Sequence, residues 1–214
     1  MNKSQKKKLG ADVVDTLEKV YPDAVCSLEY SQPYQLLIAV RLSAQCTDAR
    51  VNVVTKVLFE KYPTLESIAN ADLADIENIV KPCGLYKTKA KSIVDTANKL
   101  VAEFNSKIPD NMEDLLSLPG IGRKSANLIL GDIYGKPAVV TDTHCMRICE
   151  RLGLSKGREP NAVEMQLREI LPMEKANDFC HRLVLFGREY CTARKPKCTG
   201  CPLKDICTYK EKSG

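Results

Sequence analysis

The chain has 214 residues, 44% hydrophobic and 28% charged, which is the composition of a soluble globular protein of one large or two small domains and excludes a mainly disordered chain. Its longest apolar stretch, around Leu36 to Val40, falls far short of the ~20 residues that cross a bilayer. The net charge of +5 is concentrated at the ends: residues 1–8 hold four lysines and no acid, residues 191–214 hold six basic residues against Asp205 and Glu211, and the rest is net acidic. That placement suits a local anion-binding face, although solvated tails have the same charge pattern.

In chain order, nearly every segment reads as helix. The basic N-terminus is followed by Asp12, Asp15 and Glu18 rather than by an apolar signal core, so export is not expected. Val13, Leu17, Val20 and Tyr21 recur at helical spacing, as do Val54, Val57 and Leu58, then Leu73, Ile76, Ile79 and Val80. The clearest face is Ala90, Ile93, Val94, Ala97, Val101 and Phe104. Thr47, Thr64, Asn111, Asp142 and Asn161 stand where N-caps belong, and Pro63, Pro82, Pro109 and Pro172 mark breaks. Ala138-Val139-Val140 has strand composition, but no hairpin signal or alternating partner follows it. The expectation is an all-α chain of about ten helices, with Gly135-Lys136-Pro137 as its best internal boundary.

Ten cysteines in a chain with no export signal point to the cytoplasm, with reduced thiols or a metal centre rather than a disulfide framework. Cys26, Cys46, Cys83, Cys145, Cys149 and Cys180 are scattered and read as small buried hydrophobes. Cys191, Cys198, Cys201 and Cys207 fall close together, with Gly200 and Pro202 to turn the chain between them. Two short Cys-x2–4-Cys knuckles would suit zinc, but only Cys198 and Cys201 are so spaced. The wider gaps suit a cubane with an iron at each corner, and a reduced tail without metal is the third option. Arg194, Lys195 and Lys197 lie between the first two cysteines, where a held loop would present them to a phosphate backbone.

Leu118-Pro119-Gly120-Ile121-Gly122-Arg123-Lys124 lies between a short helical segment, Met112 to Ser117, and a longer one starting near Arg123. Gly120 and Gly122 let the backbone turn tightly and bring its N–H groups against a phosphate, helped by the dipole of the helix that follows. Gly-x-Gly alone does not outweigh an ordinary helix–helix turn. The longer string matches a helix-hairpin-helix, which grips DNA backbone without reading sequence. Lys124 then sits where the helix dipole is unfavourable to positive charge, which suits the neutral amine of a Schiff-base nucleophile. Asp142 can cap the next helix, and it can do so while directing its carboxylate to the same reaction.

Four features together resemble the endonuclease III family of DNA glycosylases, in the helix-hairpin-helix superfamily: Leu42-Ser43-Ala44-Gln45, Leu118 to Lys124, Asp142-Thr143-His144, and the four clustered cysteines. Gly84-Leu85-Tyr86 also looks like the family's. The resemblance implies an all-α, two-domain fold: a six-helix barrel with the hairpin over residues 26–136, and a discontinuous iron–sulfur domain from residues 1–25 and 137–214. It implies a [4Fe–4S] cluster on Cys191, Cys198, Cys201 and Cys207, with Lys124 as nucleophile and Asp142 as catalytic carboxylate. Gln45 and Leu85 would fill the gap left by a flipped nucleotide; without the family they would read as a helix-end polar residue and a core side chain. Gly120, Gly122, Arg123, Arg194, Lys195 and Lys197 would contact DNA. His144 reads as a structural hydrogen-bond partner near Asp142, and His181 as a helix residue with no chemical role. The implied activity is removal of oxidised pyrimidines from double-stranded DNA and cleavage of the abasic site, by a monomer working in a bacterial-type cytoplasm at the nucleoid.

Two related readings compete. A mismatch adenine glycosylase shares fold and cluster, but usually lacks the lysine and carries a further C-terminal domain, whereas this chain runs only seven residues past Cys207. A non-catalytic iron–sulfur DNA-binding protein needs the hairpin and cluster, but gives no reason for Lys124 and Asp142 to occur together.

Overall fold

The computed structural model describes residues 1–209; Lys210, Glu211 and Lys212 of the basic C-terminal run lie outside the described residues. Those residues form eleven α-helices and two short 3-10 turns, with no strand among them. The chain divides into two compact units, Cys26–Tyr134 and a discontinuous one that joins Met1–Val25 to the chain from Gly135 onward.

The continuous unit holds α2 (Pro33–Leu42), α3 (Asp48–Lys61), α4 (Leu65–Ala69), α5 (Leu73–Val80), a 3-10 turn at Lys81–Cys83, α6 (Tyr86–Phe104), α7 (Met112–Leu116) and α8 (Arg123–Tyr134), with α1 (Lys3–Val20) preceding them in the other unit. Helix α6 is the central element, packed on α4, α5 and α2. Its buried Ala90, Ile93, Ala97 and Leu100 meet Leu36, Leu37, Val54, Leu58, Ile68 and Ile76 in one core. The elements start where the polar residues dictate. Thr47, Thr64 and Asn111 each accept a backbone N–H with the side-chain oxygen at the head of α3, α4 and α7. Pro82 does not end the structure; it sits in the 3-10 turn that extends α5.

The discontinuous unit holds α1, α9 (Thr143–Leu152), α10 (Pro160–Arg168) and α11 (Ala176–Glu189), plus a 3-10 turn at Met173–Lys175. Helix α11 packs on both α1 and α9, burying Phe179, Leu183 and Phe186 with Val13, Val14, Leu17, Ile148 and Leu152. Ala138-Val139-Val140 is buried without forming a strand, and the Val140 N–H is taken by Cys180 Sγ at 3.2 Å. Asn161 is not the cap of α10. Pro160 occupies the first helical position, so the cap falls one residue earlier, on Glu159, which accepts from the Asn161 and Ala162 N–H groups. No helix among the described residues is long and apolar enough to cross a membrane.

Candidate functional site

In the continuous unit, the hairpin between α7 and α8 is a turn fixed from below. Ile121 N–H donates to Leu118 O at 3.2 Å. The Pro119 carbonyl accepts from Ser92 Oγ (2.8 Å) and Thr96 Oγ1 (3.0 Å) of α6, and Arg41 Nε donates to Ser92 Oγ at 2.9 Å. Gly120 has φ +75°, and a Cβ there would overlap Ser92 Oγ and the Arg41 side chain. The fold therefore requires a glycine at 120. Gly122 differs: nothing lies within 4 Å of where its Cβ would stand, and the residue is exposed. Lys124, the second residue of α8, is exposed, and Arg123 is half-buried.

Gln45 and Leu85 are both exposed and both in left-handed backbone, at φ +56° and +48°. For non-glycine residues that conformation costs roughly 1–2 kcal/mol, and such strain collects at sites that clamp a ligand. Leu85 is 59% exposed, so it is not the core side chain it would otherwise resemble. Behind these two turns lies Lys89, fully buried, whose ammonium donates to Leu42 O (2.8 Å) and Cys83 O (2.7 Å). Burial pushes its pKa below the usual lysine value. A lysine at helical spacing gives no sequence signal of burial, so Lys89 was not among the expected site residues.

In the discontinuous unit, Asp142 is half-buried and caps α9, its Oδ1 accepting from Cys145 N–H at 2.7 Å. The cap uses Oδ1 only. His144 lies on the first turn of α9, with Nδ1 3.1 Å from Arg147 Nη2. His181 is buried on α11.

The same unit draws Cys191, Cys198, Cys201 and Cys207 around one pocket, walled by Ile148, Leu152, Phe186 and Leu203. Among the described residues, no three of these sulfurs lie within 4.8 Å of one another. A tetrahedral zinc with bonds of about 2.3 Å would hold its sulfurs about 3.8 Å apart. The donor set is all thiolate, its wall is apolar and its spread exceeds one ion, which is what a four-iron cubane needs. Arg151 of α9 completes the shell. Its Nη1 donates to Cys191 Sγ (3.2 Å) and Thr192 O (2.8 Å), and its Nη2 to Ala193 O (2.9 Å). Burial opposes the guanidinium charge, but Cys191 and Tyr209 outweigh it and raise its pKa. Arg147 adds two bonds to Cys191 O, at 3.2 and 3.0 Å. Arg194, Lys195 and Lys197 stay exposed on the loop between the first two cysteines. Neither Arg147 nor Arg151 stood out in the sequence, where two arginines four residues apart on a helix are ordinary.

Residues 38–173 match the model of the HhH-GPD superfamily base excision DNA repair proteins, and residues 191–207 that of the iron–sulfur binding domain of endonuclease III. Endonuclease III from Synechocystis sp. is 42% identical over 98% of this chain and 96% of its own. The Escherichia coli K12 enzyme is 37% identical over 99% of each.

The chain belongs to the endonuclease III family.

Its fold superposes on a trapped endonuclease III–DNA covalent intermediate, an estranged-adenine complex, with TM-score 0.89 and 40% identity over 97% of this chain and 96% of that one. A thermostable thymine-DNA glycosylase, 24% identical with TM-score 0.84, shares the fold. As an endonuclease III family member the chain is a DNA glycosylase and abasic-site lyase of base excision repair, and its iron–sulfur binding domain, residues 191–207, carries a [4Fe–4S] cluster.

Proposed function

We propose that the enzyme removes oxidised pyrimidines from duplex DNA and cuts the resulting abasic site through a Schiff base on Lys124. The observation that carries this reading is Lys124 itself, exposed at the start of α8 directly after the hairpin. The hairpin and the exposed Arg194, Lys195 and Lys197 hold phosphates, giving salt-dependent and largely sequence-independent affinity. The damaged nucleotide leaves the stack at a cost of a few kcal/mol, lower for a non-planar saturated base that stacks badly. Gln45 and Leu85 fill the vacated space.

The neutral Lys124 amine attacks the sugar C1′, the C1′–N bond breaks, and the base departs with the bonding electrons. Asp142 accepts the proton or stabilises positive charge developing on the sugar; its capping bond through Oδ1 leaves Oδ2 for that task. The C1′–O4′ bond then breaks, O4′ takes up a proton, and the lysine nitrogen becomes a protonated imine. This imine acidifies the C2′ proton, whose loss expels the 3′ phosphate by β-elimination. When bound, the cluster supplies a rigid anchor for the basic loop. The protein acts as a monomer, in the cytoplasm, on DNA of the nucleoid.

Borohydride trapping on a duplex with one thymine glycol tests this directly. Wild type should form a covalent adduct and Lys124→Ala none, with both retaining the visible absorbance of the cluster. Failure of wild type to form an adduct on thymine glycol or on an abasic site would overturn the lyase assignment and favour a glycosylase without that step.

A further inference from the structure

We infer that Lys89 is a positioning residue: by bonding the carbonyls of Leu42 and Cys83 it locks together the two turns that present Gln45 and Leu85. The inference rests on the reading of Gln45 and Leu85 as the residues that fill the duplex after a nucleotide is extruded.

Leu42 is the last residue of α2, and Cys83 the last of the 3-10 turn after α5. Each carbonyl is an orphan at a helical C-terminus, where the dipole is negative and a cation is favoured. Lys89 Nζ reaches both, at 2.8 and 2.7 Å. Three residues beyond Leu42 stands Gln45, and two beyond Cys83 stands Leu85; each is exposed and left-handed. The Lys89 backbone N–H also takes the Leu85 carbonyl, at 3.0 Å. The Cys46 thiol of the first turn lies close enough to Cys83 of the second to help raise its pKa, so the same two turns also adjoin through their cysteines.

Packing alone does not explain a lysine there. A fully buried ammonium is costly to desolvate, and a methionine of similar length would fill the space without that cost. What the lysine adds is one rigid point joined to both turns. Two strained residues that must enter a duplex together need a fixed separation, because a clamp assembled only on contact loses affinity to its own ordering. Lys89 touches no DNA in this account and acts through Gln45 and Leu85.

Lys89→Met keeps the unbranched stem and removes the donors. On a thymine-glycol duplex it is expected to slow single-turnover base removal about ten- to a hundredfold, the scale on which a ~1 Å misplacement acts. Incision of a single-stranded abasic site has no opposite strand to support, and should proceed at the wild-type rate. Active enzyme is counted by borohydride trapping and cluster absorbance, so that a loss of folded protein lowers neither rate. Gln45→Ala/Leu85→Ala is measured alongside, alone and combined with Lys89→Met, and the combination should be no slower than the double variant. Wild-type rates in Lys89→Met, equal loss on both substrates, or an additional loss in the combination would each overturn the role of Lys89. If Gln45→Ala/Leu85→Ala itself works at the wild-type rate, the gap-filling reading has failed and takes the inference with it. Should Lys89→Met not fold, Lys89→Gln, which retains donors on a shorter arm, is expected to show the same split between substrates; equal rates on the two would refute the assignment.

Discussion

Two glycines two residues apart make opposite demands, and alanine at each separates the fold from the proposed contact with DNA. At Gly120 the methyl group must adopt a backbone with φ +75°, which costs roughly 1–2 kcal/mol. It also displaces Ser92 Oγ and Arg41, disturbing the bond to Pro119 O (2.8 Å) and the bond between the two side chains (2.9 Å). At about 1 kcal/mol net for each bond, the loss totals about 3–4 kcal/mol. For a chain of this length that lowers Tm by about 6–16 °C. At Gly122 the methyl group meets nothing within 4 Å, so stability should change by less than about 1 kcal/mol, a weaker helix start being offset by a stiffer unfolded chain. Yet that methyl stands on the exposed side of the hairpin, where backbone N–H groups would meet a phosphate. Losing one such charge-assisted bond weakens affinity about ten- to a hundredfold. Thermal melts and fluorescence anisotropy on an undamaged duplex distinguish the two. Gly122→Ala melting like wild type and binding DNA like wild type would refute the hairpin as a phosphate contact.

Arg151→Leu removes the donors to Cys191 Sγ, Thr192 O and Ala193 O. Visible absorbance of the cluster under aerobic chelation should then decay about tenfold faster or more, the usual effect of losing an outer partner of a metal ligand; an unchanged decay would mean that the arginine does not support the cluster. Burial pushes the Cys83 thiol up to about 11, with Cys46 adding to the rise, and burial pushes Cys26 up to about 12. A higher pKa means less thiolate, so at pH 8 iodoacetamide should modify Cys83 about a hundredfold and Cys26 about a thousandfold more slowly in the folded protein than in urea. Peptide mass spectrometry after timed quenching reads this, and equal rates in the two states would contradict the burial seen here.

Elements with a single strong local signal were legible from residues alone. The periodic face of α6 and the caps Thr47, Thr64, Asn111 and Asp142 appear where helical spacing and side-chain chemistry put them. Asn161 failed because two signals adjoined: proline at the first helical position overrides a good capping residue one place later. In the site, the cysteines and the hairpin string were legible because spacing carries their chemistry. Lys89, Arg147 and Arg151 were not, because their roles depend on carbonyls brought to them by tertiary structure. Lys89 meets Leu42 across 47 positions, and Arg151 meets Cys191 across 40. No local pattern encodes the end of another helix. The strain at Gln45 and Leu85 was equally hidden, since neither residue type favours left-handed backbone.

The cations near the cluster show what composition conceals. Read as a segment, residues 191–214 assign one set of basic side chains two duties, balancing four thiolates and facing a polyanion. Geometry divides those duties. The inward charge comes from α9, where Arg151 reaches Cys191 Sγ and Arg147 the Cys191 carbonyl. The loop's own Arg194, Lys195 and Lys197 remain exposed. A cation already bonded to a sulfur has much of its field cancelled locally, so it contributes little at a Debye length of about 8 Å. Exposed loop cations keep theirs. The thiolate cluster and the positive outer surface therefore do not compete for the same charges, which leaves the exposed loop cations available for the proposed contact with DNA.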